Sequence, residues 1–417
     1  MNFSKEMIAI GKSAVAAARV LMRTDTITKN KALYAIADAL KANQSRILEA
    51  NKIDVRRAED NNIRSTFLNR LALNSVDLDN ICDGVRNVAS LPDPVGAGEV
   101  WTRPNGLRIQ KMSVPFGVIA MVYEARPNVT VDAATLCLKS GNACILRGGS
   151  EAYESNKVLI EVIEEAIKSV GLPGACIQNV PSTDRDIVMQ LMQMTDYVDL
   201  IIPRGGASLI KSVVENSKVP YIETGTGVCH AYVHSSADYN KAVRVVVNSK
   251  VDKPEVCNAL ETLLVDESIA AEFLPIVAEE LKAYNVKLLG CKRTLEYIEA
   301  DVAKEEDWAT EHLDFILNVK VVSDLDEALD HIYQYSTKHS ETILAEDYSA
   351  SERFLMEVDA AAVYVNTSTR FTDGGRFGFG AEIGISTQKM HARGPMGLKE
   401  LTSVKYTIYG NGQIVSK

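Results

Sequence analysis

Residues 116–149 read FGVIAMVYEARPNVTVDAATLCLKSGNACILRGG: an apolar run, a segment of helical spacing, and a second apolar run that ends on Arg-Gly-Gly. Short apolar runs bounded by turn residues and separated by helices are the signature of strands buried on both faces of a parallel sheet. The pattern continues with a helix at about 151–170, the strand CIQNV, another helix, and VDLIIPRGG at 198–206. The reading is α/β, a doubly wound parallel sheet. A second α/β unit opens at KPEVCNALETLLV, residues 253–265, and runs through VKLLG, FILNVKVV, DLDEALDHI, ETILA and AAVYVN.

Ahead of the alternation, residues 4 to about 90 carry helical periodicity with few strand signals, a helical lead-in. LPDPVGAGEV at 91–100 is a Pro/Gly loop, and WTRPNGLRIQKMSV at 101–114 reads as a hairpin turning on Pro-Asn-Gly. That hairpin, about 100–113, and the strand-like tail KYTIYGNGQIV have no obvious place in a doubly wound sheet, so both are expected to pair across subunits. The expected division is 1–250 for a first domain with the lead-in, 251–385 for a second, and 386–417 for a return segment and oligomerisation tail.

Composition narrows the function. The 417 residues are 46% hydrophobic and 24% charged, enough for a large core in two or three globular domains. No apolar run reaches the roughly 18 residues a spanning helix needs, and the first residues read as an amphipathic helix without a secretory core, so a cytoplasmic protein is expected. Seven cysteines with no Cys-x-x-Cys pair disfavour disulfides and a zinc site, so no metal is expected and a reducing compartment fits. A net charge of -10 argues against nucleic-acid or anionic-membrane partners while permitting a local basic pocket.

Two features carry chemistry. Cys257, placed just after Pro254 at an expected helix start, interrupts an apolar run with polar, turn-forming residues. Helix-end amides, and Lys253 if it lies nearby, would lower a thiol pKa from roughly 8.5 into the neutral range and make it a nucleophile; most cysteines are instead small buried hydrophobes. Cys137 and Cys144, in apolar segments, read as the latter. The second feature is the repeated strand, Arg-Gly-Gly, helix: Arg147, Gly148, Gly149 and Ser150 in ILRGGSEA, and Arg204, Gly205 and Gly206 in IIPRGGASLI. Backbone amides and a guanidinium at a helix N-terminus suit phosphate, although a Gly-Gly pair can simply make a tight turn. No GxGxxG string stands between strand and helix.

VSDLDEALDHIYQYSTKHSETI at 322–343, with VYVNTSTRFTDGG and STQKMHARGPMGL, closely resembles the signature of the gamma-glutamyl phosphate reductase family, the glutamate-5-semialdehyde dehydrogenases of the aldehyde dehydrogenase superfamily, and the likeness runs nearly the whole chain. The resemblance implies an aldehyde dehydrogenase-like fold: a doubly wound cofactor domain, a second α/β catalytic domain and a β-ribbon oligomerisation arm. It implies NADPH-dependent reduction of L-glutamate 5-phosphate to L-glutamate 5-semialdehyde and phosphate, the second step of proline biosynthesis, in a homodimer or homotetramer functionally coupled to glutamate 5-kinase. With no amino-acid kinase sequence read ahead of the reductase region, the monofunctional form is expected.

The same resemblance distributes roles. Cys257 would attack the acyl phosphate and leave a thioester, and Asn128 in YEARPN would stabilise the oxyanion, unless it caps the following helix. Glu311 would hold the nicotinamide ribose, and Arg147 and Ser150 would meet the adenosine ribose, where a cation suits a 2'-phosphate. His339, Ser340, Arg370 and Arg376 would hold the substrate's carboxylate and phosphate, or serve as loop-to-loop hydrogen bonds. His391 and Arg393 fit either substrate contact or interface packing. Glu223 in YIETGTG aligns with the superfamily carboxylate that activates water, which a reductase has no use for. A hydrolytic or CoA-acylating aldehyde dehydrogenase of the same fold is the alternative, and a silent nucleotide-binding relative is disfavoured by the retained Cys257.

Overall fold

A computed structural model describes residues 3–63, 65–124 and 126–415. It divides into two compact units: the chain up to Thr224 with Gly378–Gly384 and the segment from Met396 onward, and Gly225–Phe377 with Ile385–Pro395.

The first unit begins with the expected lead-in, the helices Lys5–Leu21, Thr26–Ala42, Gln44–Asp60, Ser65–Leu71 and Ser75–Ser90. Three of them start on side-chain caps: Ser4 accepts from the Met7 amide, Asp25 from Thr28, and Asn74 forms a capping box with Asp77. The hairpin forms as read, from β1 (Gly98–Thr102) and β2 (Arg108–Pro115). The tail differs from expectation. Strand Thr402–Tyr409 pairs antiparallel with β2 of its own chain, Thr402 opposite Pro115 through Tyr409 opposite Arg108. β2 is longer than β1, and its second edge is filled by the chain's own C-terminal strand, so no partner subunit is needed to complete it. Ser416 and Lys417 of that expected tail lie outside the described residues.

Strands β3 (Val118–Tyr123), β4 (Ala143–Arg147), β5 (Ile177–Asn179) and β6 (Leu200–Arg204) form a parallel sheet in the order β5-β4-β3-β6. All six residues of β3 are buried, as its unbroken apolar run requires. The chain winds outward from β3 to β5 and then returns to the other side of β3 as β6. A topological switch therefore lies between β3 and β6, where loops at the carboxyl ends of the strands diverge.

The second unit is a seven-stranded parallel sheet: β7 (Cys229–Val233), β8 (Leu260–Asp266), β9 (Lys287–Gly290), β10 (Asp301–Val302), β11 (Ile316–Val322), β12 (Ser340–Leu344) and β13 (Ala362–Val365), in the order β10-β9-β11-β8-β7-β12-β13. Alternate residues point to opposite faces. Ala231, Val233, Leu263, Val265 and Val321 pack with helices Tyr239–Val251 and Glu267–Lys282, while Tyr232, Leu264, Val322 and Ile343 pack with Leu325–Tyr335 and Tyr348–Glu357. The division falls at Thr224/Gly225 and not near 250, because β7 lies between β8 and β12 and so belongs to this sheet.

Candidate active site

Cys257 does not start a helix. Helix Tyr239–Val251 ends just before it, residues 254–259 form turns, and the chain enters β8 at Leu260. Proline disfavours helical backbone at Lys253, and LETLLVD is drawn into the middle of the sheet with all seven residues buried. No helix dipole begins at this thiol, and the Lys253 side chain is exposed. The site is set by tight backbone packing instead. Gly227 lies so close that a Cβ there would stand 1.5 Å from the Cys257 carbonyl oxygen, and the Cys229 Sγ–H donates to that oxygen at 3.3 Å. Glu311 accepts the Gly227 amide at 2.7 Å. The next residue, Asn258, accepts from the Arg370 guanidinium, donates to the Thr372 carbonyl at 2.8 Å, and its own carbonyl takes the Thr369 hydroxyl at 2.7 Å.

Accessibility narrows the seven thiols to two. Five cysteines are buried, and only Cys257 and Cys291 are partly accessible. Burial raises the pKa of Cys82, Cys144 and Cys229, and pushes Cys176 up to about 12, which keeps them as thiols. Cys291 lies in hydrogen-bonding range of the Thr294 hydroxyl at 3.3 Å.

Loops at the amino ends of β7, β8, β11 and β12 bring Gly227, Cys257, Glu311 and His339 to one edge of the sheet. These residues stand at the amino ends of their strands, opposite to the carboxyl ends where the rule for open α/β sheets puts a ligand. His339 is fully buried, its Nδ1 2.8 Å from the Ser340 hydroxyl and 3.9 Å from Cys229 Sγ. Ser340, also fully buried, continues through Thr372 at 2.6 Å to the Tyr364 hydroxyl at 2.7 Å. These residues anchor the loop after β13, so Ser340 is tied into the protein rather than presented to a ligand. Arg370 corrects the expectation in the same way. It is 5% exposed and its fork is taken by Asp252, at 3.2 and 3.0 Å, and by Asn258, which makes it a clamp on the Cys257 turn. Arg376 keeps an exposed guanidinium, 3.7 Å from Asp252 and 5.7 Å from the Phe371 ring centroid. Arg393 and Lys389 both pair with Asp359, at 2.8 and 2.7 Å, which fixes the return segment.

The two Arg-Gly-Gly loops of the first unit are not equivalent. At the end of β4 a Cβ on Gly148 would come 2.2 Å from Asn156 Nδ2, a buried amide nitrogen with no hydrogen-bond partner among the described residues. Arg147 donates to the Thr183 carbonyl at 2.8 Å, Gly149 leads into the turn Ser150–Ala152, and Ser150 is exposed. A close backbone, an unused amide and a cation at the carboxyl end of a strand fit a phosphate-bearing cofactor. At the end of β6, Glu124 Oε2 accepts the Gly206 amide at 2.9 Å, and a Cβ on Gly205 would meet the Glu124 carboxyl at 2.6 Å. A carboxylate already holds the amide that a phosphate would need, and its charge repels one, so Arg204-Gly205-Gly206 does not form a phosphate cradle. Arg204 instead faces Glu382 at 3.7 Å.

Asn128 lies in the first turn of helix Pro127–Lys139, whose cap is Arg126, so it does not serve as the cap. Its Nδ2 is 3.4 Å from Asp132 Oδ2 one turn on. Sequence reading missed Asp132, although its position four residues along a helix was the available signal. Burial pushes its carboxyl up to about 7, with Arg204 opposing. Folding thus raises this pKa above its ordinary 3.8, so stability is greatest when the proton is on and falls as pH climbs from about 4 to about 7. Asp132→Asn, a neutral isostere, should stay close to the parent in urea unfolding at pH 4 and exceed it by up to roughly 4 kcal/mol at pH 8, at about 1.4 kcal/mol per pKa unit. Parallel pH dependences in the two proteins would show that Asp132 stays ionised.

The sequence model of the aldehyde dehydrogenase family matches residues 4–288. A gamma-glutamyl phosphate reductase of Desulfitobacterium hafniense is 60% identical over 417 residues, covering all of both chains, and one of Clostridium novyi is 55% identical over 99% of this chain and 100% of its own. The crystal structure of gamma-glutamyl phosphate reductase from Thermotoga maritima superposes with a TM-score of 0.95 at 48% identity, covering 99% of this chain and 100% of that one. An acetylating aldehyde dehydrogenase from Geobacillus thermoglucosidasius shares the fold, with a TM-score of 0.74 at 19% identity over 99% of this chain and 98% of its own. The chain belongs to the aldehyde dehydrogenase family, among its gamma-glutamyl phosphate reductases.

Proposed function

We propose that this chain reduces L-glutamate 5-phosphate to L-glutamate 5-semialdehyde with release of phosphate, the second step of proline biosynthesis, through a thioester on Cys257. The observation that carries the reading is the partly accessible Cys257 thiol on a backbone fixed by Gly227, Cys229 and the Arg370–Asn258 clamp, in a chain 60% identical to a reductase of that name. The thiolate attacks the acyl carbon, the carbon–oxygen bond to phosphate breaks, and phosphate leaves with the bonding pair. A bound nicotinamide supplies the hydride that reduces the thioester. Breaking the carbon–sulfur bond then releases the aldehyde and returns the thiolate. Asn128 is the side-chain donor proposed for the oxyanion, and the exposed Arg376 the cation for the substrate's anionic groups. Glu223, half-buried, is left without a role as base, because the thioester must outlast water.

For the cofactor, Arg147, Gly148, Gly149 and Ser150 are the proposed ribose and phosphate contacts, with Glu311 on the nicotinamide side and NADPH preferred. Arg147→Ala should raise the KM for NADPH about tenfold and that for NADH by less than about twofold, since only the former carries the 2'-phosphate. Equal losses would assign Arg147 to the fold, through its Thr183 bond.

The acyl phosphate must come from a kinase acting on the glutamate side-chain carboxylate, so coupling to glutamate 5-kinase is part of the proposal. A cytoplasmic location suits seven free thiols, and no described helix is long and apolar enough to cross a membrane. Self-association as a homodimer or homotetramer is proposed through the three-stranded sheet, whose Trp101, Tyr406 and Ile408 are exposed. The reverse assay tests the reaction: NADP+ reduction by glutamate semialdehyde should require phosphate. Steady oxidation to free glutamate, or dependence on CoA, would replace the reductase by the hydrolytic or acylating alternative.

A further inference from the structure

Lys250 and Glu261 form an ion pair at 3.0 Å in which neither side chain has any exposure, and nothing in the reaction scheme uses it. Burial is the largest influence on both, pushing the Glu261 carboxyl up to about 7 and the Lys250 ammonium down. Such a pair is a weak source of stability, because well-packed apolar residues commonly do as well. Its second carboxylate oxygen has a distinct use. Glu261 Oε1 accepts the Leu313 amide at 3.2 Å, and Leu313 has φ 54°, a left-handed conformation that disfavours every residue with a side chain. Two residues earlier in the same loop, Glu311 accepts the Gly227 amide, and Gly227 lies against the Cys257 carbonyl. Between them, His312 Nε2 lies 3.1 Å from Asn318 Oδ1. Glu261 is itself four residues beyond Cys257, so one strand start carries both the thiol and the group that fixes the facing loop.

We infer that Glu261, oriented by Lys250, is a positioning residue: it holds Leu313 in the left-handed turn that aims Glu311 at Gly227 and thereby fixes the backbone carrying the Cys257 thiol. This rests on Cys257 being the nucleophile. Two double variants separate the role from plain stability. Lys250→Met/Glu261→Gln and Lys250→Met/Glu261→Leu both remove the pair without stranding a charge, but only the second removes the acceptor for the Leu313 amide. The glutamine variant should stay within about threefold of the parent in phosphate-dependent kcat/KM and in the rate of Cys257 alkylation by iodoacetamide, while the leucine variant loses about tenfold in both. Adding Leu313→Gly to the leucine variant should recover most of that loss, since glycine adopts the turn unaided. Equal rates for the two double variants, or no recovery with glycine, would overturn the inference. If the leucine variant does not fold, Glu261→Asp decides: the charge stays but the oxygen withdraws from Leu313, and the same loss with the same glycine rescue is expected, whereas no loss overturns it. Failure of the nucleophile assignment would show separately, as turnover that survives Cys257→Ala.

Discussion

Cys257→Ala should lower phosphate-dependent NADPH formation by at least about a thousandfold, with NADPH binding and thermal unfolding close to the parent. The size of the effect follows from the role, since no other group replaces a nucleophile that must form and break a covalent bond. The small cost in folding follows from burial: the side chain is one sulfur on a partly accessible turn, and its position depends on backbone contacts that alanine keeps. Cys291→Ala is the matched control, because Cys291 is the other partly accessible thiol, and it should retain near-parent activity. Cys137→Ala and Cys144→Ala should cost stability through small cavities, not turnover. If Cys257→Ala keeps substantial activity, or if Cys291→Ala abolishes it, the thiol has been misassigned.

Gly227→Ala should lower kcat/KM on the order of a hundredfold, the scale expected when reacting groups are displaced by about 1 Å. An alanine Cβ would stand 1.5 Å from the Cys257 carbonyl oxygen and 2.4 Å from its carbon, and both are backbone atoms that no rotamer change can move aside. Either the Cys257 turn shifts, or residue 227 withdraws and the Glu311 bond to its amide breaks. Both outcomes disturb the site, at a folding cost of roughly 1–3 kcal/mol. Gly206→Ala is the control, since its Cβ would find nothing nearer than 3.8 Å. Near-parent kinetics for Gly227→Ala would mean that the tight approach is not needed for turnover.

Much of the architecture was legible because its cause is local. FGVIAMVY is a continuous apolar run since its strand is buried on both faces, and Pro-Asn-Gly turns the hairpin. What could not be read depends on partners distant in the chain. The two Arg-Gly-Gly loops are the same string, yet one abuts an unused amide of Asn156 and the other receives the carboxylate of Glu124, 82 residues away. Arg370 reads as a free cation until Asp252 and Asn258 close on it. The helix expected at Cys257 failed because Pro254 follows a helix that has just ended, and the next residues are claimed by the sheet. Glu261 left a visible signal, a lone charge inside ALETLLV, but its partners Lys250 and Leu313 belong to the tertiary fold.

The central claim is a thioester on Cys257 that waits for phosphate. The direct measurement is to mix the enzyme with glutamate semialdehyde and NADP+ in phosphate-free buffer, quench in acid, and map peptides by mass spectrometry. The account predicts a glutamyl adduct on the peptide bearing Cys257, formed with about one equivalent of NADPH per site and lost when phosphate is added before the quench. An adduct on a different cysteine, or continuous NADPH formation with free glutamate and no adduct, would contradict it.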